Sequence, residues 1–225
     1  MAHSKYPRIV PMSYDPKFDL ETKGPIEIAR RAVGEIRGLA HDFNLIENRL
    51  SNDLRCRYLD DVAGRLAFDY EDYLHRVHCV RERSWDVLTG ISTRGKEILR
   101  DCDPHRLGTP RKPKDRELIG TEVRSIHPTL FDSFTRLQNE IANDVGMRNI
   151  ATHQTFVWLA LMPNEDDARE INDYDFPADG CEAERAARKV VRKLLREFVA
   201  EQRLAIKTLM EVTKLFIDAA ETAYP

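Results

Sequence analysis

The sequence predicts an all-α protein, a helical bundle with two long antiparallel helices, a shorter motif-bearing pair and a long C-terminal helix. Three observations lead there. Apolar residues recur at a spacing of about 3.5 over long stretches, the period of a core-facing helix stripe. Glycine is sparse, at 10 of 225 residues, and few runs alternate apolar with polar residues. The chain is 42% hydrophobic, enough for a substantial core, yet it lacks the run of about 18 apolar residues that would span a membrane.

Each element then follows in order. Residues 1–23 carry Pro7, Pro11 and Pro16 and no apolar signal-peptide core, so they read as an N-terminal arm. One helical domain is expected over 24–225. The first helix starts at Gly24-Pro25, with proline in the first helical position. Its stripe is Ala29, Ala32, Val33, Ile36, Leu39, Phe43, Ile46 and Leu50. Ser51-Asn52-Asp53 is the expected turn, because all three side chains compete with the helical backbone.

The second helix repeats the pattern through Leu59, Val62, Leu66, Tyr70, Tyr73, Val77, Val80, Val87 and Ile91, interrupted at Ser84. Within it, Asp72, His75 and Cys79 fall in helical reach of one another and could ligate a metal. A di-metal bundle needs two Glu-x-x-His units and two further acids. Only one Asp-x-x-His is present, so a solvated face with a buried thiol is the preferred reading and no metal is expected.

Asp101–Arg124 reads as a basic connection, with Pro104, Pro110 and Pro113 opposing regular structure. Arg111, Lys112 and Lys114 within it could grip a phosphate backbone; an ordinary solvated loop is the alternative. His127-Pro128 opens a helix with Leu130, Phe134, Leu137, Ile141 and Val145 on its apolar side, and Gly146 is the expected break.

The stretch Arg148-Asn149-Ile150-Ala151-Thr152-His153 follows. It offers a permanent cation that forks onto phosphate oxygens and an imidazole that can take and give a proton near neutrality. On a regular helix Asn149 and His153 share a face, whereas Arg148 and His153 are about 140° apart. Two ways remain to bring them together. Arg148 could sit in a non-helical approach allowed by Gly146, or a second copy of the chain could supply one of the two groups.

Residues 163–181 form an acidic loop: between 163 and 184, nine acids accompany one basic residue, Arg169. Asp179-Gly180-Cys181-Glu182 has the pattern of a capping box, and the last helix runs from about Glu182 to Ala223. Six basic residues and no acid lie between Arg185 and Arg196, including Arg188, Lys189 and Arg192. They form a candidate phosphate-tracking surface, the alternative being a solvated charged face. With a net charge of −3, nucleic-acid binding must rest on such local patches. The cysteines Cys56, Cys79, Cys102 and Cys181 include no C-x-x-C pair, which fits a reducing, cytoplasmic setting.

Arg148-Asn149 followed by His153, late in an all-helical chain, resembles the signature of the HEPN domain family. The resemblance implies a helical bundle that dimerises, with the signature near the two-fold interface. It implies a metal-independent endoribonuclease without cofactor: Arg148 as phosphate or transition-state ligand, His153 as general acid and base, Asn149 orienting them. The implied product is a 2′,3′-cyclic phosphate, and the implied settings are toxin–antitoxin systems and phage or stress defence, with an antitoxin or other protein partner. Some members carry a Tyr two residues after the His; here that position is Thr155. A catalytically silent helical dimer that binds a protein or nucleotide is the alternative.

Overall fold

The computed structural model describes the backbone of residues 25–54, 59–101, 112–154 and 180–223. It describes the side chains of 26–54, 64–97, 112–142, 144 and 189–223. The N-terminal arm, Arg111, Thr155 and the acidic loop 163–179 with its capping aspartate therefore lie outside the described residues. Those described form six helices and no strand, the all-α class that the sequence predicts. They are α1 (Pro25–Asp53), α2 (Leu59–Ile91), α3 (Thr93–Asp101), α4 (Pro113–Ile126), α5 (Pro128–Gln154) and α6 (Gly180–Ala223).

Four of them, α1, α2, α5 and α6, enclose the core. Its largest fully buried side chains include Phe43, Leu66, Tyr73, Leu88, Leu137 and Phe216 from these four, and α4 adds Ile119. Aromatic rings join the layers. Phe43 tilts against Tyr73 at 5.8 Å, Tyr70 meets Phe198 edge-on at 5.5 Å, and Phe134 lies between Trp85 and Phe216.

Ion pairs fix the directions. Arg83 reaches Glu35, Arg76 reaches Asp42 and Asp72, and Arg49 spans Asp69 and Asp72, so α1 and α2 run antiparallel. Arg203 with Glu47, and Arg37 with Glu221, make α6 antiparallel to α1. Gln138 donates to Ser84 and Tyr73 to Asp144, which sets α5 antiparallel to α2.

Three expectations need correction. Helix α1 does not turn at Ser51–Asp53 but runs through Asp53. The Ser51 hydroxyl bonds back to the Glu47 carbonyl, a contact the helix tolerates. Ser84 does not interrupt the α2 stripe either. It is fully buried, donating to the Arg81 carbonyl and accepting from Gln138.

The third correction is α4. Pro113 does not oppose regular structure; it stands at the first helical position, where its missing N–H costs nothing. Lys112 is the extended residue before it.

The α2–α3 junction depends on α4. Ser92 caps α3, accepting from the Gly95 N–H at 2.9 Å. Glu122 of α4 accepts from Ser92 Oγ and from the Thr93 and Arg94 N–H groups, at 2.6, 2.7 and 2.9 Å. One carboxylate thus fills the anion-binding end of α3. Gly95 makes the close approach possible, because a Cβ there would stand 2.1 Å from the Thr89 carbonyl oxygen.

Candidate functional site

The signature stretch lies on the last turns of α5. Its backbone is unbroken helix from Pro128 to Gln154, so the expected break at Gly146 does not occur. A single glycine costs a helix about 1 kcal/mol, too little to end one already docked through Leu130, Phe134, Leu137 and Ile141. The non-helical approach for Arg148 is thereby removed. Five residues on one helix leave Arg148 and His153 about 140° apart, and Asn149 and His153 one turn apart on one side. The side chains of Arg148, Asn149 and His153 lie outside the described residues.

The register of α5 adds a distinction. Leu130, Phe134, Leu137 and Ile141 are buried, and position 148 continues their phase. Position 153 falls well round the helix from that stripe. One turn before Arg148 stands Asp144, whose carboxylate accepts from the Tyr73 hydroxyl at 2.6 Å. Burial and the nearby Glu140 raise the Asp144 carboxyl above its ordinary range, against the lowering effect of the tyrosine hydrogen bond. Burial likewise pushes the Tyr73 hydroxyl far up, with Asp144 adding to it, and holds Tyr70 at about 12.

Because α5 is antiparallel to α2, its last turns reach the end of the bundle where α1 gives way to α2. Helix α6 begins at that same end: Phe198 is level with Tyr70, and residues 180–197 lead up to it. The α6 basic run and the signature backbone therefore share one end of the fold. Lys189 is exposed and Arg192 half-buried, while the Arg188 side chain is outside the described residues.

The α4 basic residues are not brought there. Lys112 and Lys114 are exposed at the start of α4. Nearby Arg116 sits over the Trp85 ring at 5.3 Å, toward the far half of α2. The two candidate phosphate-binding groups thus stand at different levels of the bundle.

The alternative metal reading of α2 finds no ligand set. Among the described residues, no group of three or more His, Cys, Asp or Glu could hold an ion. Asp72 is engaged by Arg49 and Arg76, which hold its carboxyl below the ordinary range in spite of its burial. His75 Nε2 lies 3.8 Å from Cys79 Sγ. A cavity of about 510 Å³ opens between the α4–α5 turn and the end of α6, lined by Ile126, His127, Leu130, Leu215 and Asp218 among others. It lies at the opposite end of α5 from the signature.

Periodicity places Tyr73 on the core stripe but does not reveal Asp144 as its partner. The available signal is the tyrosine itself, since a buried hydroxyl requires an acceptor. Compared with family models, with curated proteins and with solved structures, the chain gives no match. No helix among the described residues is long and apolar enough to cross a membrane. What the residues define is an all-α helical bundle with a polar signature at one end.

Proposed function

We propose that the chain is a metal-independent endoribonuclease of the HEPN type, working as a homodimer. The observation that carries this reading is the signature on an unbroken helix at the same end as the α6 basic run. With about 140° between Arg148 and His153, one copy cannot easily aim both at one phosphate. Two copies can, each supplying one group.

His153 then takes the proton of the ribose 2′-OH, whose oxygen attacks the adjacent phosphorus. The P–O5′ bond breaks, the departing 5′-oxygen takes a proton from the imidazolium so formed or from water, and a 2′,3′-cyclic phosphate remains. Arg148 balances the charge that builds on the phosphate oxygens. Asn149, on the His153 side, orients the imidazole, while Lys189, Arg192 and Arg188 hold the flanking strand by its phosphates.

A second reading, a non-catalytic helical dimer that binds a protein or nucleotide, is favoured by one feature. Position 148 continues the buried phase of α5 one turn after the Asp144 carboxylate, the spacing of an acid–base pair along a helix.

Labelled RNA incubated with the chain in excess EDTA separates the two. The nuclease reading expects cleavage that Arg148→Ala and His153→Ala each abolish. Mixing those two variants should restore part of it, because one mixed site per dimer is intact. RNA that stays whole with the unaltered chain, or cleavage unchanged in both variants, removes the nuclease.

A further inference from the structure

Tyr73 is buried, at 1% exposed, and it faces the turn of α5 that leads into the signature. Tyr70 stacks on it at 6.1 Å and 24°, and Phe43 of α1 closes another side. Tyr70 in turn meets Phe198 of α6. Rings from three helices therefore fix the Tyr73 phenol, and its one hydroxyl donates at 2.6 Å to Asp144 of the fourth. Asp144 stands one turn before Arg148.

Buried apolar residues and the Gln138–Ser84 hydrogen bond hold the earlier turns of α5, and among the described residues the Tyr73–Asp144 bond is the polar contact nearest the signature. A short hydrogen bond from a clamped phenol fixes the helix rotation at that point. The lever is large: a rotation of about 20° moves an atom ~6 Å from the axis by ~2 Å, and misplacement of ~1 Å can cost ~100-fold in rate. Both signature positions ride on the turns that follow Asp144.

We infer that the Tyr73–Asp144 hydrogen bond is the positioning contact of the proposed ribonuclease site. It fixes the rotation of the last turns of α5, and so where Arg148 and His153 stand. Neither Tyr73 nor Asp144 touches the RNA. The inference rests on the nuclease reading above.

The test uses the full chain with labelled RNA and EDTA, measuring kcat and KM beside thermal melts. Tyr73→Phe removes only the donor. Asp144→Ala removes the acceptor, whereas Asp144→Asn keeps an oxygen that can accept the same bond. Tyr73→Phe and Asp144→Ala should lower kcat by about 10- to 100-fold with KM within about threefold, and Asp144→Asn should stay within about threefold in both.

Unaltered kcat in Tyr73→Phe overturns the inference, as does Asp144→Asn falling as far as Asp144→Ala, or a loss confined to KM. Should Tyr73→Phe fail to fold, the two Asp144 variants decide the question between them. A wild-type chain that leaves RNA whole sinks nuclease and inference together. Cleavage that needs Arg148 and His153 but ignores Tyr73 and Asp144 sinks the inference alone.

Discussion

Replacing Asp86 by Asn should make the protein more stable at neutral pH and leave it nearly unchanged in acid. Asp86 is only 6% exposed and is held by Arg83, which also reaches Glu35. Burial pushes its carboxyl up to about 6 from an ordinary 3.8, and the Arg83 pairing only partly opposes this. The raised value means that the folded chain prefers the neutral acid. That contribution is fully present below 3.8 and is lost as pH rises through about 6. Holding the ionised group at neutrality costs ~3 kcal/mol, with the Arg83 attraction already counted in it. The amide avoids that cost. The net expectation is a gain of up to about 3 kcal/mol at about pH 7.5 and less than about 1 kcal/mol at about pH 4. Urea unfolding followed by far-UV circular dichroism at the two pH values measures the difference between variant and parent. An Asn variant less stable than the parent at neutral pH, or a difference independent of pH, refutes the reasoning.

Two further expectations concern the α2–α3 junction. Glu122→Ala should cost about 2 kcal/mol, since a carboxylate that caps two N–H groups and a hydroxyl is lost. These hydrogen bonds hold its carboxyl below 4.5 despite partial burial, so the parent's advantage exists above 4.5 and fades as pH falls further. Thermal melts of both proteins at about pH 7 and about pH 3 should therefore converge in acid. Gly95→Ala must push the chain away from the Thr89 carbonyl oxygen, and a loss of about 1–3 kcal/mol in the same melts is expected; a neutral change there would mean that the junction is looser than this close approach implies.

The long helices were legible because burial leaves a periodic trace. Every large residue of the α1 stripe from Phe43 to Leu50 is buried, and so are Leu66, Tyr70, Tyr73, Val77 and Val80 of α2. What periodicity cannot carry is context. Ser51 and Gly146 are poor helix residues, but each loses about 1 kcal/mol or less against helices whose other turns are well packed. Pro113 was ambiguous for another reason: the same ring that breaks a helix interior starts a helix well. The partner of a buried polar group is the hardest to foresee. Tyr73 and Asp144 are far apart in the chain, and only the antiparallel docking of α5 on α2 brings them to 2.6 Å. For the signature, the sequence supplied residue types and the continuous α5 removed one of two proposed geometries.

The arginines and aspartates along the α1–α2 seam have an effect beyond their modest attraction. Greasy stripes repeating every turn would interlock almost as well if one rod slid past its neighbour by a turn, about 5.4 Å. The charges forbid the slide. In one direction Arg49 would come opposite Arg76; in the other, Asp42 would come opposite Asp72. The polar edge thus works like the teeth of a ratchet, admitting one alignment of the two rods and so one spacing for everything mounted on them.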